Sequence, residues 1–280
     1  MAKPQPEGPP ALPPVQHLVV RYAKRGKMRF ASHRDVARAF ERGVRRAGLP
    51  IAHSAGFSPH PKISYAGGAP TGVASEAEYL SLALTSQSDV ATVRERLNAA
   101  LPDGIEVIEV TEDASGLPAS RLTASEWQVI LPGVPSQAVA SAVRDFLALE
   151  HAPVERLTNK GMRHMDARSA VVSIDVAAID VAPVDGAGAG ASAEEGTGAG
   201  IGARAEEGTS AEAAAEDPAG EAGSTAMRMI VKHTVPAVRP DDVLTALGAL
   251  SGFSGVAPTV LTHMTRLAQG SISESGVVMP

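Results

Sequence analysis

His60 stands between two prolines in the run GFSPHPKISYAGGAP, residues 56–70, with Lys62 immediately behind it. Each proline fixes its own φ near −65° and drives the residue before it into extended geometry. Ser58 and His60 are therefore both held extended, which lowers the entropy lost when their side chains engage a ligand. Lys62 adds a point cation suited to phosphate. Imidazole is also the side chain best matched to proton transfer near neutral pH, so His60 joins His33 and Asp35 as candidate acid–base groups. The competing reading of the run is a rigid connecting loop packed by Phe57, with Lys62 merely solvated.

A second pattern lies upstream. Arg34, Arg38, Arg42 and Arg45, with Arg46 beside them, fall on one face of a predicted helix, and Lys24, Arg25 and Lys27 precede it. Between His17 and Lys62 eleven bases face only Asp35 and Glu41, a net charge of +9 inside a chain whose total is −6. A cationic row of this kind grips several phosphates through sequence-independent, salt-dependent contacts. A solvated helix face is the plainer alternative, but with so few acids nearby the mutual repulsion is poorly relieved. Nucleic acid is the favoured anion. Aromatic residues make up only 3% of the chain, so stacking platforms are scarce. No RRM aromatic signature is present, and backbone and shape recognition fits better than reading of bases.

A third polar group, Lys160, Arg163, His164, Asp166 and Arg168, is packed into KGMRHMDARSA, residues 160–170. It resembles a small polar site, although an acid between two arginines is more often a structural, ion-paired one. His164 and Asp166 would share a strand face, but two ligands make no metal site. No metal and no cofactor are expected.

The chain has no cysteine. Disulfides, thiolate zinc sites, cysteine nucleophiles and cysteine-ligated iron–sulfur clusters are thereby excluded. No apolar run approaches the ~18 residues of a membrane span, and the proline-rich start shows no apolar signal core. The expectation is a cytoplasmic protein without membrane contact. There is no GxGxxG, Walker loop, GxSxG or HExxH, so an enzyme reading rests on no specific motif.

The elements that must position these residues follow from periodicity. The β-rich run 17–23 leads through a KRGK turn to a helix opened by Ser32. Asp35 stands three residues on, in a capping-box pattern, and Gly48 closes the helix. Its apolar face is Val36, Phe40, Val44 and Ala47. A short strand is expected near residues 50–54, then strands at KISYA and EYLSLAL, a helix over 89–101 and a strand over 104–110. This β-α-β-β-α-β order is the ferredoxin-like pattern, with helices on one face of an antiparallel sheet.

A similar series follows. It has strands at EWQVIL, VERL, SAVVSIDVAA, MRMIVKHT and TVLTHMTRLA, and helices over 136–149 and at RPDDVLTALGAL. Residues 185–226 carry nine acids and one base with almost no large apolar residue. Such a segment cannot offset its ordering entropy and reads as a disordered acidic insert. The expected fold class is α+β, with two ferredoxin-like domains. In chain order the expectation is a disordered proline-rich tail over 1–14, the first, basic domain over 15–115, the second domain over 122–269 interrupted by the insert at 185–226, and a loose tail over 270–280.

The stretch from Arg29 to Leu80 is similar to a radical-SAM-linked group, domain-of-unknown-function family 2344. The resemblance is carried by Ser32-His33-Arg34-Asp35, by Phe40-Glu41-Arg42 with Arg45-Arg46-Ala47, and by Gly56-Phe57-Ser58-Pro59-His60-Pro61-Lys62. KGMRHMDAR and RPDDVL match more loosely. The resemblance implies a protein encoded beside, or fused behind, a radical-SAM enzyme, and it implies no established activity. The chain departs from the pattern at Arg34, where leucine is usual, in YAGGAPTG, and at Ser81, where an acid is common. Since a radical-SAM enzyme needs three cysteines for its cluster, this chain is at most its companion.

The leading expectation is an accessory protein whose basic N-terminal domain binds RNA and presents tRNA or rRNA to a radical-SAM partner. The alternative is an enzyme acting on a nucleotide or phosphorylated small molecule, with His33, Asp35 and His60 as acid–base groups and Lys62 as phosphate clamp. A module that binds protein through the acidic insert is the third.

Overall fold

A computed structural model describes residues 11–114, 119–158, 161–179, 224–250, 263–274 and 276–280. The first half runs β1 (Gln16–Lys24), α1 (His33–Arg46), β2 (Ile63–Ala66), β3 (Ala74–Leu84), α2 (Val90–Ala100) and β4 (Ile105–Glu112). The second begins β5 (Ala124–Leu131), α3 (Ser136–Ala148), β6 (Pro153–Thr158), β7 (Gly161–Asp166) and the single turn α4 (Ala167–Ala170). It ends β8 (Val171–Ile179), β9 (Ser224–Lys232), α5 (Pro240–Gly248), β10 (His263–Ser273) and β11 (Gly276–Val278). The fold is mixed α+β, with one large mixed sheet. Among the described residues, no helix is long and apolar enough to cross a membrane.

Both halves order their strands alike. In the first, β1 pairs antiparallel with β3 and β4, and β2 pairs with β3. In the second, β5 pairs antiparallel with β9 and β10, and β8 with β9. The halves meet where β3 and β10 run briefly parallel, Ala74 opposite Thr265 and Ser75 opposite Arg266. Each half keeps its own apolar core. Leu18, Val20, Leu80, Leu82 and Val107 pack under Phe40, Val44, Val93 and Leu97, while Val129, Leu131, Met227 and Met229 pack under Val143, Phe146, Val243 and Leu247.

α1 forms as its sequence dictates. The Ser32 Oγ accepts from the Asp35 N–H at 3.3 Å, and an Asp35 carboxylate oxygen accepts from the Ser32 N–H at 3.2 Å, a complete capping box. Val36, Ala39, Phe40, Gly43 and Val44 are buried. Gly43 is a glycine because α2's end is close: a Cβ there would lie 2.9 Å from Leu101 Cδ2. Apolar burial on one side leaves the arginines on the other.

Three expectations are corrected. Residues 50–54 form no strand, only isolated bridges from Ile51 to Leu84 and from His53 to Pro61. Within the KGMRHMDARSA run, Gly161–Asp166 form the second arm of the β6–β7 hairpin, and α4 then leads directly into β8. Ser224, Thr225 and Ala226, expected within the acidic insert over 185–226, belong instead to β9: all three pair with β8, and Thr225 and Ala226 also with β5; the acids of that segment lie outside the described residues. The tail expected to be loose from 270 instead turns back, β11 pairing with Ser271–Ser273 so that both runs satisfy backbone polar groups. Of the proline-rich tail, residues 11–14 belong to no regular element and the rest lie outside the described residues.

Replacing Ser32 by Ala removes the capping oxygen and is expected to lower stability by about 1 kcal/mol. Urea denaturation should show a lower midpoint with an unchanged slope, and an unchanged midpoint would mean that the box carries no stability.

Candidate nucleic-acid interface

The cations between His17 and Lys62 divide into two sets. Arg21 is paired with Glu109 at 3.2 Å, and Arg25 is clasped by Glu76 and Glu106, which together raise its pKa. Lys24 is only 3% exposed. Arg29 reaches His263 Nδ1 at 3.0 Å. These contacts tie strands together and leave little free charge on Arg21, Lys24, Arg25 and Arg29, whereas Lys27 stays exposed. By contrast Arg34, Arg38, Arg42 and Arg45 are exposed on α1, and none has a carboxylate partner among the described residues. Arg46 bonds only the Ala100 carbonyl, at 3.4 Å. The row is therefore a face of guanidiniums without a direct ion pair, although Arg38 feels the Asp35 charge, and it is open to phosphate oxygens.

The proline-flanked loop leaves the sheet where β2 begins. It is closed by the Ser54 N–H donating to the His60 carbonyl at 2.9 Å and the His60 N–H donating to Ser54 Oγ at 3.0 Å. The Lys62 N–H donates to the Ala52 carbonyl at 2.8 Å. Ser58, His60 and Lys62 are exposed. Phe57 is exposed as well, so the loop is held by its backbone bonds and prolines, not by packing of Phe57.

His33 and Asp35 sit elsewhere. The His33 ring stands edge-on to Tyr65, centroids 5.3 Å apart, at the far end of β2. Asp35 is committed to the cap, and its bonds from Ser32 hold its carboxyl below the usual range. α1 rises about 20 Å over its length. His33 and Asp35 lie at its start, whereas the chain leaving its end runs through Leu49 and Ala52 into the His60 loop. The structure does not bring His33, Asp35 and His60 together as one acid–base group.

The third polar group also separates. Asp166 accepts from the backbone N–H groups of Ala152, Arg168 and Ser169 and from His151 Nδ1 at 2.8 Å. Partial burial pushes its carboxyl up, but these bonds prevail and hold it low. Arg168 donates to the Leu147 and Val171 carbonyls, and His164 pairs with Glu155 at 3.1 Å. Asp166 is thus a structural acid, capped by backbone and histidine and not by the arginines. Arg163 is exposed, and Lys160 lies outside the described residues.

What periodicity did not signal is a buried polar seam between the halves. Arg266 Nη2 is bonded to Glu78, both side chains only 4% exposed. Arg266 Nη1 also donates to the Gly67 carbonyl at 2.6 Å, and its Nε to Ser75 Oγ at 3.2 Å. The guanidinium stacks over Trp127, 5.5 Å from the ring centroid. Glu78 accepts from the Ala69 N–H, and Lys24 Nζ lies 3.4 and 3.3 Å from the Ala69 and Pro70 carbonyls. Burial lowers the Lys24 pKa against the pull of Glu78, and burial beside Glu78 raises that of the Tyr22 phenol. The YAGGAPTG segment exists to close this seam. Gly67 has φ +60°, and a Cβ there would sit 2.0 Å from Gln269 Nε2, so only glycine fits. One sequence cue was available: Glu78 takes the same alternate register as Leu80, Leu82 and Leu84, so a carboxylate on the buried face required a cation.

Removing that cation alone should be costly. Arg266→Met is expected to destabilise the protein by about 3–5 kcal/mol, because Glu78 is left buried and unpaired, whereas Arg266→Met combined with Glu78→Leu should recover most of the loss. Thermal and urea unfolding of the two variants checks this, and equal losses would place the cost in packing.

No curated protein matches the chain. A family profile described as "Uncharacterized protein conserved in bacteria" matches residues 17–195, which takes in all of the first half and the second as far as β8. The chain belongs to that family, domain-of-unknown-function family 2344.

Proposed function

We propose that this protein binds RNA through the exposed face of α1, as a cytoplasmic accessory protein that presents tRNA or rRNA to a radical-SAM enzyme. The observation that carries the reading is that Arg34, Arg38, Arg42 and Arg45 project from one helix without an ion pair, while Glu76, Glu106 and Glu109 are taken by Arg21 and Arg25. A like-charged row on a folded surface repels itself, and an anionic ligand relieves that repulsion. The radical-SAM link comes from the resemblance of the Ser32–Asp35, Phe40–Ala47 and Gly56–Lys62 segments.

The scaffold is in this reading a pair of ferredoxin-like units, fused through β3 and β10. Support comes from the shared strand order, β4-β1-β3-β2 in one half and β10-β5-β9-β8 in the other. Ser58, His60 and Lys62 extend the cationic face past the end of α1. His60 acts there as a hydrogen-bonding group on phosphate or sugar.

Filter binding of the intact protein to a tRNA over a salt series tests the proposal. Four phosphate contacts give a slope of log K against log salt of about −3 to −4. Arg38→Ala with Arg42→Ala should make the slope shallower by about 1.4 to 1.8 and weaken all RNA sequences alike. Absent binding at low salt, or binding indifferent to salt, contradicts the proposal.

A further inference from the structure

The chain is poor in aromatic residues, and most of those described are used up in the interior. Tyr22, Phe40, Tyr79, Trp127 and Phe146 are buried, and Tyr65 is half-buried between α1 and the sheet. Two are not. Phe30 is 60% exposed and Phe57 is 70% exposed. A phenyl ring left in water forgoes the gain of burial, so a chain with so few rings places two of them outside at a cost.

Their positions are related. Phe30 ends a 3-10 turn two residues before the Ser32 cap, at the start of α1. Phe57 lies in the Ser54–His60 loop, which follows the end of α1 after residues 47–53 have bridged to the end of β3. The arginine row spans the helix between them, over about 20 Å. Phe30 already carries a guanidinium on one face, Arg29 Cζ being 4.6 Å from its ring centroid. That cation is held from behind by His263. One face of the ring is thus covered by Arg29, and the ring remains largely exposed. Phe57 is stiffened differently, by the prolines and the Ser54–His60 bonds that close its loop.

We infer that the ligand of this face is single-stranded RNA a few nucleotides long, with one unpaired base stacked on Phe30, another on Phe57, and the intervening phosphates on the α1 arginines. Base–aromatic stacking needs bases free of a duplex, because the faces of paired bases are already occupied. Stacking on a π-face tolerates any base, so the site selects for strandedness and not for sequence. This inference rests on the RNA reading above and narrows it, since a purely electrostatic face would take duplex equally well. It also revises the expectation of recognition by backbone and shape alone: the scarcity of rings is real, but the spare ones stand where a strand crossing α1 would meet them.

The test uses the full chain and two probes, a mixed-sequence single-stranded RNA oligonucleotide and a blunt RNA duplex of comparable charge. The single strand should bind at least about tenfold more tightly. Phe57→Ala and Phe30→Ala should each weaken single-strand binding by roughly fivefold to a hundredfold, the range that stacking of one base confers, while leaving duplex binding unchanged. Phe57→Trp should retain affinity, and its fluorescence should be quenched by the single strand but not by the duplex. Neither phenylalanine supports a core, so circular dichroism should be unaltered. Equal, salt-dependent binding of both probes with no effect of either alanine overturns the stacking inference and leaves the RNA reading standing. Failure of both probes to bind overturns both.

Discussion

The bond between Arg266 and Glu78 is the constraint on which the rest of this structure turns. Two α+β halves, each with its main apolar core and joined by a small cluster of Val19, Ala77, Tyr79 and Leu122, share one sheet, among the described residues, through two residue pairs between β3 and β10. Four ladder residues cannot by themselves fix one half against the other. The guanidinium supplies what the ladder lacks. It bonds Glu78 and Ser75 of β3, takes the Gly67 carbonyl, and lies over Trp127 of β5, so a single side chain from β10 reaches both halves and the segment that closes over them. Burying such charges is favourable only with their partners complete, which makes the junction sensitive to the loss of any one group.

The same seam sets the surface at which we place function. Gly72 of the closing segment donates to the Arg29 carbonyl at 2.8 Å, and the Arg29 side chain bonds His263 of β10. The turn that leads into α1 is therefore anchored to the second half. Phe30 and the Ser32 cap follow directly, and the arginine row follows them. The acids near these strands are spent on Arg21 and Arg25, at the sheet's edge and turn, and none is directed at α1. Charge segregation that in the sequence is merely a local excess becomes, in the fold, one unpaired helical face.

Local patterns in the sequence were legible where a single element decides them. Ser32 and Asp35 named the start of α1, Val36, Phe40 and Val44 its buried side, and the alternation of Leu80, Leu82 and Leu84 the inward register of β3. Long-range pairing was not legible. Arg266 sits in an ordinary strand run, and nothing local distinguishes a buried arginine from a solvated one. Lys24 read as part of a turn but ends β1 with its ammonium under the Ala69–Pro70 segment. The β6–β7 hairpin was hidden because Arg163, His164 and Asp166 look like a polar site, whereas Asp166 serves to cap α4. Composition alone gave the number of aromatic rings and not their exposure, which is why stacking was discounted.

Ultraviolet cross-linking of the intact protein to bound RNA, with the attached peptides identified by mass spectrometry, examines the central claim most directly. Cross-links confined to the segment from Arg29 to Lys62, with Phe30 and Phe57 among the modified residues, are what the account predicts. Cross-links concentrated on the opposite face of β8 and β9, around Asp175 and Arg228, would contradict it.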